Sequence, residues 1–381
     1  MLEWPTLKKK HFCGLGILIV LVVIGGFWWR GIPAPIAQPF LGKVVLLQYT
    51  EKGAHNLALI DTQSLTEVRY PLKDRPYNNI SVRDNDIYVS IYRDNKGPFG
   101  SESAGNRIAH FRFHRGKAAF VREFKIPGYH PTTVWITTDN VFVLVRTLEN
   151  MVTTDGRNPT GVVVLDRKND RHKGIISFGR DFIDSRWDFS EEKHRLFLFG
   201  NGAHDFEKSS SRWFVQFLEI NLDNFSIRRQ LPLCAKENGN GLSLSGLVKD
   251  ENTYKVTVSE SQHGQKIGTQ IIALDLENDT FKAHSVSGDF YCLTSAKGQP
   301  SVWATNGKSL LRLNKQFEIL GSIPCTGIRD IQWVDGKLWV VRRATMINGF
   351  NEAPVLDVYD PETLTLIKSF KGRYGHVGYQ F

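Results

Sequence analysis

Cysteine is scarce here, with four in 381 residues and no CxxC pair, which sets aside zinc ribbons and thioredoxin-type redox chemistry. GxSxG, Walker and HExxH motifs are also missing. The nucleophile elbow, the phosphate-cradling P-loop and the zincin helix are thereby excluded. Beyond Lys8-Lys9-Lys10 no run of cations occurs, so the formal charge of +9 forms no stripe for nucleic acid. Lys8, Lys9, Lys10 and Arg30 against Glu3 account for three of that excess. The remainder, about +6, is spread over a large surface and suits an anionic membrane or an acidic partner. Helix-like stretches are few, and 12% aromatic residues with 33 glycines lean towards an all-β chain.

One long apolar run is present. Phe12 to Trp29 carries no charge, follows Lys8–Lys10 and ends in Trp28-Trp29-Arg30. That length just reaches a bilayer span, and paired Trp suits the headgroup interface. The expectation is a short cytoplasmic segment at 1–11, a signal-anchor helix at 12–30 and a Pro-rich tether at 31–42. More positive charge before the span than after it keeps the N-terminus inside and sends residues 43–381 into the periplasm or an equivalent space. A cleaved signal peptide is the competing reading, since a basic start and an apolar core fit it too. The tether GIPAPIAQPFLG is extended and reaches at most ~35–40 Å.

From residue 43 onward a unit recurs. Thr133 to Phe178 holds one full copy: Val134–Thr137, a polar turn, Val141–Val145, a longer loop, Gly161–Asp166, a charged turn and Gly174–Phe178. Four short β-branched and aromatic runs between turn residues predict an antiparallel meander. The second run recurs seven times between Val44–Tyr49 and Lys337–Arg343. A third run, usually ending in Asp or Asn, recurs as often, for example Leu57–Asp61, Ile271–Asp275 and Val355–Asp360. Spacings of about 40–55 residues match a propeller blade. First runs number only six, and the seventh is found at Tyr374–Phe381. The C-terminus is therefore expected to supply the innermost strand of the blade containing Val44 to Leu72, leaving no open sheet edge between the chain ends.

This unit, an apolar strand, Asp, a polar turn, a second apolar strand and Pro or Gly, resembles the repeat of seven-bladed β-propellers of the YVTN and quinoprotein-like kind. The resemblance implies an all-β propeller over residues 43–381. It implies no single function, since that superfamily holds lactonases, dehydrogenases, assembly factors and binding modules. No Trp-docking repeat or WD dipeptide closes the blades, and only His130 and His376 fall at inner-strand starts, so neither cofactor nor metal is expected.

Turns joining first to second and third to fourth strands read as tight, defining a plain face. Asp94–Asn106, Thr147–Thr160, Asn201–Arg212, Glu260–Gly268 and Ala344–Ala353 read as long loops on the opposite face, joined by Cys234–Gly241. Length variation on a rigid scaffold is where binding sites are usually built. The expected lining of the channel mouth on that face includes Tyr77, Asn79, Tyr129, His130, Arg180, Asp181, Asp289, Tyr291, Arg329, Asp330, Tyr374 and His376, a mixture suited either to a polar ligand or to a solvated rim of ion pairs. Cys292 falls in one inner strand, flanked by Cys234 and Cys325 on neighbouring blades. A disulfide from Cys292 to either one, or three free thiols, are the alternatives.

The expected function is a membrane-anchored scaffold or accessory subunit that presents its loop-rich face to a protein or peptide. The rival is a hydrolase, lactonase or dehydrogenase using His130, Asp181, Arg329 and His376, and a third reading is a polysaccharide binder. The plain face is expected to look towards the membrane.

Overall fold

The structure is a computed structural model. It describes residues 40–49, 55–72, 77–94, 103–114, 117–149, 159–178, 182–190, 193–204, 212–236, 241–250, 253–262, 265–278, 280–286, 288, 290–296, 298–343, 345–347, 350–352 and 354–378. The expected anchor at 12–30 and most of the tether lie outside these. Among the described residues no helix is long and apolar enough to cross a membrane.

Seven four-stranded antiparallel sheets make up the chain from residue 43. Blade 1 takes Arg373–Gly378 as its inner strand, then Lys43–Tyr49, His55–Asp61 and Glu67–Pro71. Blade 2 begins with Tyr77–Arg83, blade 3 with Gly128–Ile136, blade 4 with Phe182–Ser190, blade 5 with Gly241–Asp250, blade 6 with Tyr291–Ser295 and blade 7 with Ile328–Val334. The expected closure is present. Val45 pairs with Gly378, Leu46 with Val377 and Tyr49 with Arg373, so both chain ends share blade 1.

Blade faces are apolar because strand side chains alternate and every blade is covered on both sides. Seven separate clusters of buried side chains result, each between two neighbouring blades. One joins Val44 and Leu46 of blade 1 to Trp339 and Val341 of blade 7, which completes the ring. Second-strand aromatics do much of this filling: Trp303 and Trp339 have no accessible surface, and neither does Tyr88.

The Asp or Asn that ends a third strand has a defined task. Asp61 Oδ1 accepts from the backbone N–H of Ser64 at 2.8 Å, Asp166 Oδ1 from Lys168 at 2.9 Å, and Asp360 Oδ1 from Thr363 at 2.8 Å. Asn221, Asp275 and Asn314 cap their turns likewise. Such Asx turns compete with strand continuation and so stop the strand. Each of these turns in blades 1, 3, 4, 6 and 7 then has a non-glycine residue at positive φ: Leu65, Asp170, Phe225, Phe317 and Leu364. Four of them drop an apolar side chain into the core shared with the preceding blade. Blade 3 puts Asp170 there instead.

Several expected loops are strands. In blade 2, Asp86–Asp94 and Ser103–His114 pair out to Asp94 and Ser103. In blade 5, Thr253–Gln262 and Gln265–Asp275 pair out to Gln262 and Gln265. Blade 4 extends to His204 and Arg212, and residues 345–347 and 350–352 of blade 7 form a hairpin of their own. The reason is composition. Polar stretches such as Glu260–Gly268 carry no apolar alternation, yet their described backbones still pair.

Candidate functional site: an arginine-lined channel mouth

All seven inner strands slip register once against their neighbours. A bulge of this kind bends the strand and re-aims a side chain. In blade 7 it falls between Ile328 and Asp330, placing Arg329 in the bulge. In blade 6 it falls between Tyr291 and Thr294, around Cys292, whose φ is +50°. The Cys292 thiol donates to the Arg329 carbonyl at 3.1 Å, tying one bulge to the next.

Arg329 is half-buried and gathers like charges. Its pKa is pushed down by burial and then by Arg343 and Arg373, with Asp330 and Tyr49 opposing. Arg343 follows the second strand of blade 7, and Arg373 opens the inner strand of blade 1, with its guanidinium 5.5 Å from the Tyr49 ring centre. Burial raises the Tyr49 pKa, with Arg329 and Arg373 pulling it back. From across the channel Arg186 of blade 4 acts on Cys292. Burial pushes that thiol up to about 12, Asp330 adds to the shift, and Arg186 and Arg343 oppose it. Among the described residues, Arg343, Arg373 and Asp330 thus act on Arg329, and Arg186, Arg343 and Asp330 on the neighbouring Cys292, at the loop-rich end of the channel. Concentrated positive charge at a partly desolvated mouth attracts anionic groups and holds carboxylates or phosphates by forked hydrogen bonds.

The expected lining is redistributed. Arg329 and Asp330 belong to this cluster, and Tyr291 starts the bulged strand beside Cys292. Tyr374 does not line the channel. It is 2% exposed, sits in the core between blades 7 and 1, and its hydroxyl donates to Glu67 at 2.9 Å while accepting from Gln48. Ring closure needs a large side chain there, which is why it turns inward. Tyr129 donates to Glu149 at 3.2 Å, Asn79 donates its backbone N–H to Ser90, and His130 has φ +54°. Arg180, Asp181 and Asp289, with the side chains of Tyr77 and His376, lie outside the described residues. Arg343, Arg373 and Arg186 carry no sequence signal, because the bulges and the closure bring them together.

Cys234, Cys292 and Cys325 are not joined in a disulfide. Cys292 is occupied with Arg329, and Cys325 lies 3.8 Å from the Tyr359 hydroxyl. Of the two alternatives, three free thiols is the one the structure has, with Cys292 and Cys325 in the same seam between blades 6 and 7 but engaged with different partners.

A second charged cluster lies at the plain end of the seam between blades 2 and 3. His110 contacts Asp170 through Nδ1 and Asp86 through Nε2, both at 3.1 Å, and Tyr88 donates to Asp170 at 2.5 Å. Arg122 donates to Asp170, while Arg112 and Arg167 donate to Asp86. A histidine between two aspartates has the composition of an acid–base site. With His110 only 3% exposed and both nitrogens engaged, no substrate atom can reach it, and the cluster acts as a staple. A third cluster gathers Arg195, Arg228 and Arg229 around the buried Glu219 of blade 4. Among the described residues no group of three metal-binding side chains converges.

No family model matches the chain, and no curated protein does either. Solved structures do. A hypothetical selenium-binding protein from Sulfolobus tokodaii superposes with a TM-score of 0.58 at 10% identity, over 88% of this chain and 92% of that one. A 6-phosphogluconolactonase candidate from Bacteroides uniformis gives 0.55 at 11% identity, over 87% and 97%. Dihydro-heme d1 dehydrogenase NirN gives 0.52 at 12% identity, over 91% and 76%. Identities this low carry the fold alone. The protein is a seven-bladed β-propeller.

Proposed function

We propose that this protein is a membrane-anchored, extracytoplasmic propeller that works by binding, and that an acidic segment of a protein or peptide partner seats at the arginine mouth of its loop-rich face. The observation that carries the reading is Arg329, half-buried with Arg343 and Arg373 as like-charged neighbours and Asp330 as an acidic one, next to the Cys292 thiol that Arg186 also acts on. Neighbouring guanidiniums repel one another, and a carboxylate-bearing segment entering the mouth offsets that repulsion. Paired strands around the mouth supply a rigid wall, and the apolar run at 12–30 supplies the anchor. The two alternatives, a channel-mouth enzyme and a polysaccharide binder, would use the same guanidiniums on an anionic substrate or an acidic glycan.

Crosslinking the full-length protein in its native membrane, then identifying captured partners by mass, tests the reading. A partner recovered at low salt and lost in Arg329→Gln with Arg343→Gln supports it. Esterase or lactonase turnover by the purified full-length protein, abolished in His130→Ala, overturns it.

A further inference from the structure

The outermost strands of three consecutive blades open on exposed apolar residues. Ile319 and Leu320 begin the outer strand of blade 6, Leu366 and Ile367 that of blade 7, and Val68 is the second residue in blade 1. Their exposures run from 46% to 58%. An outer strand starts just after its third-to-fourth turn, so all five share the plain-face rim. At the matching positions blade 3 places His172 and Lys173, blade 4 Ile227 and Arg228, and blade 5 Thr280 and Phe281, the last 42% exposed and extending the apolar arc by one blade. Edge strands ordinarily carry charge to prevent pairing with other chains, and single exposed leucines mean little. Apolar residues repeated at one register position on consecutive blades form a surface that needs a cover.

Leu41, 71% exposed, adds to this arc beside blade 1, one residue after the first described residue, Phe40. Only residues 30–40 separate it from the charge-free run ending at Trp29, a reach of roughly 35 Å when extended. Phe40 packs between blades 1 and 2, so the point where the chain departs for the segment read as the anchor lies at the blade 1 end of the arc. Exposed Lys368 lies two residues from Leu366 in the same outer strand. Apolar side chains mixed with lysine characterise surfaces that settle into the headgroup layer. The tether keeps the local bilayer concentration high, so a modest apolar area suffices.

We propose that the plain-face rim of blades 6, 7 and 1 rests on an anionic lipid surface, tilting the disc so that its channel mouth faces away from the bilayer. This rests on the anchor reading of residues 12–30. The test uses the full-length chain in vesicles of phosphatidylcholine and phosphatidylglycerol containing a lipid with a photoactivatable headgroup, with adducts mapped by mass. Adducts on residues 319–320, 366–367, 68 and 41, absent from 172–173 and 228, support the proposal. In Leu320→Gln with Ile367→Gln they should fall about tenfold, with labelling of 12–30 unchanged. Labelling confined to 12–30 overturns the docking and leaves the anchor standing. No labelling anywhere overturns both. Protein–protein crosslinks joining the arcs of two copies, in place of lipid adducts, overturn the proposal in favour of self-association.

Discussion

Asp170 Oδ2 lies 3.1 Å from His110 Nδ1 across the seam between blades 2 and 3, at the turn position where blades 1, 4, 6 and 7 place Leu or Phe. Blade 3 thus replaces an apolar plug by a carboxylate, and blade 2 answers with His110, Tyr88 and Arg122. Removing one member of such a buried set leaves uncompensated charge. His110→Ala should lower stability by about 3 kcal/mol, read as a fall in chemical-denaturation midpoint; an unchanged midpoint would refute the staple.

The same cluster sets a pH window. Burial opposes the charge on His110, but hydrogen bonds to Asp170 and Asp86 outweigh it and raise the pKa above 6.5. That contribution is complete below 6.5 and is lost as pH rises through the folded value. Burial likewise opposes ionisation of Asp86, yet His110 and Arg112 hold it down to about 2 against an ordinary 3.8. Its contribution is complete above 3.8 and is lost as pH falls towards 2. Melting temperature followed against pH should show the cluster at full strength between 3.8 and 6.5, and His110→Ala should flatten the alkaline limb.

Closure by the C-terminal strand makes a sharp expectation. Deleting residues 373–381 removes the inner strand of blade 1 and opens two edges, so the propeller should lose its cooperative transition. Tyr374→Phe keeps the strand and forfeits the hydroxyl bonds to Glu67 and Gln48, costing about 1–2 kcal/mol. Equal melting of wild-type and truncated chains would disprove the closure.

Glu219 and Arg228 share one ion pair yet should respond differently. The carboxylate is 4% exposed and holds three guanidiniums, whereas Arg228 is 60% exposed. Glu219→Gln is expected to cost about 3 kcal/mol, and Arg228→Ala under 1 kcal/mol, about the worth of a surface pair. Urea unfolding of both variants checks the contrast.

Stability and binding should move in opposite directions at the mouth. Arg329→Gln relieves repulsion from Arg343 and Arg373 and should raise stability by about 0.5 kcal/mol, while weakening capture of an acidic partner. A variant that loses both binding and stability would show that Arg329 is structural.

Much of the architecture was legible in the sequence because it rests on local rules. Apolar runs at blade spacing, each stopped by an Asx-capped turn such as that of Asp61 or Asp360, specify seven meanders with no knowledge of their neighbours. The partnership of Tyr374–Phe381 with Val44–Leu72 followed from counting, since one inner strand was missing. The mouth was legible only in part. Arg329 and Asp330 lie at an inner-strand start and could be placed there, but Arg186, Arg343 and Arg373 join them through bulges that shift register by a residue and through ring closure. Neither leaves a mark in periodicity.

Tertiary structure also decided the direction of individual side chains. Tyr374 lies at an inner-strand start, as Arg329 does, yet it turns into the core because blades 7 and 1 must be packed where the ring closes. Cys292 sits between Cys234 and Cys325 in blade order and bonds to neither, because its bulge aims the thiol at the Arg329 carbonyl. Composition and spacing therefore determined which strands exist and in what order. Packing between blades, which couples residues far apart in the chain, determined which of them meet.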